Sequence, residues 1–125
     1  METIEIFPLT EENVARLLQA RNPPAPKKRK DGSRRLLPRW PFPGTVELWI
    51  PDGKGGQEYT LATSLDLSLH GVGIQLEMPL DRDQELAVAI HEPEASFHGY
   101  AVVRHCKESQ PGVFHIGMQF RFDRS

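Results

Sequence analysis

Apolar residues fall at every second position over most of this chain, and the period changes only near its start. Val46, Leu48 and Ile50 alternate with Thr45, Glu47 and Trp49. After a turn at Asp52-Gly53-Lys54-Gly55-Gly56 the alternation continues through Tyr59, Leu61, Thr63 and Leu65. Val72, Ile74 and Leu76 alternate with Gly71, Gly73 and Gln75, and Leu86, Val88 and Ile90 follow a turn at Asp81-Arg82-Asp83. A longer run from Phe97 to His105 has small residues on one face, and Phe114, Ile116, Met118, Phe120 and Phe122 close the series. Successive side chains of a strand point to opposite faces, so each run predicts a strand. Six such strands with short turns, and no helical period between them, predict an all-β fold, an antiparallel barrel or a sandwich. A six-stranded antiparallel β-barrel is favoured because closure leaves the fewest unpaired edges at this size.

The N-terminal segment follows a different pattern. In Leu9-Thr10-Glu11-Glu12-Asn13-Val14, Thr10 is a good N-cap, Leu9 and Val14 have the spacing of a hydrophobic staple, and two acids fill the first turn. Val14, Leu17 and Leu18 give one apolar stripe, and Asn22-Pro23-Pro24-Ala25-Pro26 ends the helix. So short a helix is unstable alone, so its stripe is expected to dock on the body or on a partner. Lys27 to Ser33 is charged and has no apolar side chain, which predicts a flexible basic arm in the absence of ligand. Trp40-Pro41-Phe42-Pro43-Gly44 is expected to turn the chain into the body. The organisation read from the sequence is a helix and basic tether over residues 1–33 and a barrel domain over 34–125.

A length of 125 residues suits one domain with a real core. Cys106 is the only cysteine, so no internal disulfide forms, which fits a reducing compartment. The N-terminus carries acids instead of a basic start and apolar stretch, and no apolar run approaches the roughly 18 residues of a membrane span. A cytoplasmic location without membrane insertion is expected.

Charge sharpens this picture. From Arg16 to Arg39 nine bases face one acid, Asp31, whereas from Trp40 onward twelve acids face six bases. A basic arm on an acidic body suits a small anionic ligand held between them. A nucleic acid fits less well, because its long phosphate backbone would meet repulsion across the body.

Two motifs suit such a ligand: Arg35-Leu36-Leu37-Pro38-Arg39, and Asp66-Leu67-Ser68-Leu69-His70-Gly71. A guanidinium donates two parallel hydrogen bonds to O6 and N7 of guanine, meets phosphate bidentately and stacks on a base plane. A carboxylate accepts from the opposite guanine edge. Asp66 and Ser68, two apart on an extended segment, point the same way, and Gly71 permits a sharp bend and a close backbone approach. Trp40, adjoining Arg39, is the tryptophan best placed to stack on a base. Asp66, Ser68 and His70 contain the residue types of a hydrolase triad, but i and i+2 on one strand lie about 6–7 Å apart, too far for a direct relay. The five histidines have no metal-site spacing, and Cys106 and His105 point to opposite faces. No catalytic or metal site is therefore expected.

These residues together resemble a PilZ domain, the bacterial receptor module for cyclic di-GMP. The resemblance covers roughly Arg34 to Phe122. It rests on Arg35 and Arg39, on Asp66-x-Ser68-x-x-Gly71, and on Ala101-Val102-Val103-Arg104 with Ile116-Gly117-Met118-Gln119-Phe120. It implies a six-stranded barrel whose outer surface takes the nucleotide while the arginine-bearing arm wraps over it, with Arg35, Arg39, Asp66, Ser68 and Gly71 forming the pocket. Arg34 stands where the family's residue has been associated with holding one nucleotide or an intercalated pair, and a third guanidinium favours the pair. The expected function is non-enzymatic: cyclic di-GMP binds, the flexible arm from about Lys27 to Arg39, apart from Asp66 until then, orders over it, and a protein partner responds. A PilZ-like adaptor acting through its N-terminal helix and Trp49 without nucleotide is the alternative. A barrel for single-stranded nucleic acid is disfavoured by the acidic body. The family's C-terminal helix is not expected, since Asp123-Arg124-Ser125 follows soon after the last strand, and the N-terminal helix is the candidate for that cover.

Overall fold

The structure, a computed structural model, describes residues 4–21 and 39–123. Its elements are β1 (Glu5–Pro8), α1 (Glu11–Arg21), β2 (Trp40–Pro51), β3 (Gln57–Ser68), β4 (Gly71–Leu76), β5 (Glu85–Glu92), β6 (Ala95–Gln110) and β7 (Val113–Phe120). Six of the strands close into an antiparallel ring in the order β2, β3, β4, β7, β6, β5 and back to β2. The turn into β3 forms as the glycines require: Gly53 and Gly55 have φ of 79° and 86°, and Asp52 Oδ1 accepts from the amides of Lys54 and Gly56.

Three features depart from the sequence reading. Trp40 to Gly44 is not a turn into the body but the first part of β2, paired with β3 across a register shift between Pro41 and Gly44. Such an irregularity accommodates two prolines that lack an N–H. The buried hydroxyl of Ser64 donates to the Phe42 carbonyl there, at 2.7 Å. A seventh strand, β1, runs parallel to the start of β6, with Phe7 stacked on Phe97 at 5.4 Å. Four residues are too few for an alternation to reveal it.

The third departure is on β3, where the phase of the alternation is reversed. Ala62, Ser64 and Leu67 face the core, while Tyr59, Leu61 and Leu65 are 52%, 55% and 36% exposed on the outside. A register shift against β4 between Ser64 and Asp66 puts Leu65 and Asp66 outward in succession and returns Leu67 to the interior.

Helix α1 forms as its cap predicts: the Asn13 amide donates to Thr10 Oγ1 at 3.1 Å. With 11 residues it lies below the length at which a helix holds in water alone. Leu9, Val14 and Leu17 are buried in the same apolar cluster as Leu67, Ile74 and Phe120, each such burial stabilising by about 1.5–3 kcal/mol. Leu9 also seats against Gly99, where a Cβ would lie 2.6 Å from Leu9 Cβ, and its amide donates to the His98 carbonyl. The helix thereby lies by the turn between β3 and β4, with Glu11 Oε2 3.2 Å from His70 Nε2. The stripe thus docks on the body. The basic stretch from Lys27 to Ser33 lies outside the described residues.

Outside the ring, Tyr59 Oη donates to Glu47 Oε1 at 2.6 Å and His91 Nε2 lies 2.9 Å from Glu47 Oε2. The Tyr59 hydrogen bond, with His91 next among the favourable contacts, holds the Glu47 carboxyl below the usual carboxylate range. A lowered folded-state pKa gives stability that is complete above the ordinary carboxylate value of about 4.3 and is lost as pH falls through the lowered one. The melting-temperature advantage of wild type over Glu47→Gln should therefore shrink between pH 6 and pH 3.5. An advantage constant over that interval would contradict this assignment.

Candidate functional site

Arg39 immediately precedes β2, and the register sets Trp40 opposite Leu67 and Pro41 opposite Asp66. This pairing brings Arg39 Nη1 to 3.9 Å from Asp66 Oδ2, both side chains being about a third exposed. The expected separation of an arginine on a mobile arm from a carboxylate on the body does not hold for Arg39. The β2–β3 ladder has already brought the two together.

Both residues line an open cleft of about 200 Å³ with Leu65, Gly73, Ile74, His105, His115, Ile116 and Gly117. Its floor follows from register. Asp66 stands opposite Gly73, Gly73 opposite Gly117, and Gly117 opposite His105, one row across four strands. Two central glycines remove the side chains that would fill this row. The outer residues lean over them: a Cβ at Gly73 would lie 2.6 Å from Asp66 Oδ1, and one at Gly117 would fall against the His105 ring. The backbone row spans three strand spacings, about 14 Å, and from its two ends the Asp66 carboxylate reaches in over Gly73 and the His105 imidazole over Gly117.

Ser68 and Gly71 sit one step along, paired with each other where β3 turns into β4. Ser68 Oγ donates to the Gly71 carbonyl at 3.4 Å. Gly71 has no positive φ among the described residues. The bend expected there is not what demands glycine: a Cβ would lie 2.5 Å from the Met118 carbonyl oxygen, so the neighbouring strand β7 excludes a side chain. Trp40 is half-buried opposite Leu67 and is not part of the cleft lining. Arg34 and Arg35 lie outside the described residues.

The sequence reading weighed His105 and His115 only as metal ligands and missed the cleft they line. The available signal was glycine at outward positions of two strands that become neighbours, Gly73 and Gly117, which marks a groove once β4 and β7 are paired. His115 Nε2 lies 3.3 Å from Gln75 Oε1 on the adjoining row, so this wall is polar as well.

Comparison with known proteins bears on the fold. The PilZ domain of YcgR from Escherichia coli, solved with c-di-GMP, superposes with a TM-score of 0.56 at 18% identity, over 70% of this chain and 78% of that one. The K. pneumonia MrkH–c-di-GMP complex gives 0.57 at 19% identity, over 74% of this chain and 45% of that one. The Bacillus subtilis inhibitor of motility MotI/DgrA gives 0.57 at 18% identity, over 78% and 47%. The chain is thus similar to about half the length of the latter two. No curated protein matches. The family model for the PilZ domain matches residues 33–125, the part of the chain that supplies the ring and both motifs. The chain therefore belongs to the PilZ domain family.

Proposed function

We propose that this chain is a receptor for cyclic di-GMP, held by Arg39, Asp66 and Ser68 on the ring and by Arg34 and Arg35 from the preceding segment, with Gly71 letting β4 and β7 approach beneath them. The observation that carries this reading is the Arg39–Asp66 pair over a glycine floor. A guanidinium fork and a carboxylate stand side by side, about a third exposed, in a cleft whose two central floor positions are glycines covered only by the Asp66 carboxylate and the His105 ring. Arg39 meets O6 and N7 of a guanine or a phosphate oxygen, while Asp66 accepts from a guanine N–H edge. The YcgR and MrkH structures, both solved with this nucleotide, support the choice of ligand. The His105 ring, lying over Gly117, would offer an aromatic face to the base.

Each bidentate base contact contributes about 1–3 kcal/mol, whereas micromolar affinity needs about 8 kcal/mol. Arg39 and Asp66 alone fall short, so contacts from Arg34 and Arg35 and stacking must supply the rest while offsetting the cost of ordering. Binding, not turnover, is the chemistry: nucleotide capture reshapes the surface next to α1 and β3, and a protein partner in the bacterial cytoplasm reads the change. A nucleotide-independent adaptor is the competing function.

Calorimetric titration of the intact chain with cyclic di-GMP separates the two. Saturable binding is expected, at two nucleotides per chain if Arg34 favours the pair, and no heat at high micromolar ligand would leave the adaptor. His105→Ala should weaken binding about five- to tenfold, on the order of 1 kcal/mol, the scale of one stacking contact. An affinity unchanged by that substitution would remove His105 from the site and leave Arg39 and Asp66 in place.

A further inference from the structure

The outer face of β3 carries large apolar groups where a solvated antiparallel strand normally carries polar ones. Tyr59, Leu61 and Leu65 are its exposed members, and Thr63 lies between them. Six residues of strand, about 20 Å, separate its ends. One end reaches the cleft, which Leu65 lines, and the other reaches Trp49, whose ring centroid is 5.5 Å from that of Tyr59.

This face is pinned as well as apolar. Tyr59 is fixed by its hydrogen bond to Glu47, Glu47 by His91, and Trp49 also meets His98, with centroids 5.9 Å apart. Aromatic groups ordered before contact lose little entropy on binding, the property that makes Tyr and Trp frequent anchors of interfaces.

Charge identifies the occupant. Strands β2, β3, β4 and β5 contain no lysine or arginine, against Glu47, Glu58, Asp66, Glu85 and Glu92. Among the described residues Arg39 is beside Asp66, Arg121 pairs with Glu85 at 3.2 Å and Lys54 lies in the turn beyond the end of β2, so the acids at the Trp49–Tyr59 end of the face are Glu47 and Glu58. A second copy presenting the same strands would offer Glu47 no lysine or arginine from β2 to β5, and Glu47 and Glu58 disfavour an anionic membrane or nucleic acid at this end. A cation beside the Trp49 and Tyr59 rings would gain from their faces as well as from Glu47.

We propose that the outer face of β3, flanked by Glu47 and Trp49, docks an apolar segment of a partner protein that carries arginine or lysine. The site rests on the protein-partner reading above and names the surface and its chemistry. Because Leu65 belongs to both the stripe and the cleft, nucleotide and partner meet at one residue.

The test uses the full chain without nucleotide and two acetylated, amidated peptides, Leu-Arg-Leu-Arg-Leu and Leu-Glu-Leu-Glu-Leu, followed by amide correlation NMR. The basic peptide should shift the Trp49 indole N–H and the amides of Glu47, Tyr59 and Leu61 saturably, and the acidic one should not. Leu61→Ser and Glu47→Gln should each weaken that binding at least fivefold. Leu61→Ser should leave cyclic di-GMP affinity within twofold, which keeps a failure of this site distinct from a failure of the nucleotide reading. Shifts elsewhere, equal response to the acidic peptide, no response at millimolar peptide, or a concentration-dependent dimer through Leu61 would each overturn the proposal.

Discussion

Arg39→Ala is expected to weaken cyclic di-GMP binding about a hundredfold, ~2.7 kcal/mol, while leaving thermal unfolding of the unliganded protein almost unchanged. The two halves of this expectation have separate causes. In the free protein the guanidinium is 3.9 Å from a carboxylate with both about a third exposed, and such a pair contributes only about 0–1 kcal/mol to stability. In the complex the same group would be covered by ligand and would make charge-assisted hydrogen bonds. Asp66→Asn should reproduce the pattern, because its amide nitrogen cannot accept from a guanine N–H and would present a donor instead. Calorimetry and a melting curve on one preparation of each variant suffice. Full affinity in both variants would show that the cleft is not the nucleotide site.

Gly71→Ala should do the reverse and unfold the protein more readily. The added methyl would lie 2.5 Å from the Met118 carbonyl oxygen, a backbone atom fixed by pairing of Val72 with Met118 and Gly71 with Gln119. The strands must part to admit it. Such overpacking costs about 1–3 kcal/mol, a fall of roughly 4–15 °C in melting temperature for a domain of this size. Well below the transition, the folded fraction should keep its nucleotide affinity within a few fold. Lost binding at an unchanged melting temperature would return Gly71 to the direct pocket role that the family resemblance implies. The two variants thus separate a motif residue that touches ligand from one that lets two strands approach.

Sequence revealed the ring because its cause is local: alternation at Val46-Leu48-Ile50, Val72-Ile74-Leu76 and Leu86-Val88-Ile90 is written in adjacent residues. The cap at Thr10 and the turn at Asp52 to Gly56 were legible for the same reason. The reversed phase of β3 was not, since Tyr59, Leu61 and Leu65 alternate as well as any buried set, and only the shift beyond Ser64 and the pairing with β2 decide which side is in. Nor was the pairing of Gly73 with Gly117, which lie on strands distant in sequence. The motifs named Arg39 and Asp66, but that they already adjoin is a property of the β2–β3 register, and so is the entry of β2 at Trp40.

One consequence of that register concerns the chain between α1 and β2. Val14 and Leu17 fix its near end in the core and the β2 ladder fixes its far end at Arg39. The chain between these two points is thus held covalently at both ends. Arg35, four residues before that anchor, stays within about 14 Å of Arg39 by covalent reach alone. On the proposed reading, its effective concentration at a nucleotide in the cleft would be set by the covalent chain, and the ligand would recruit a guanidinium that cannot diffuse away.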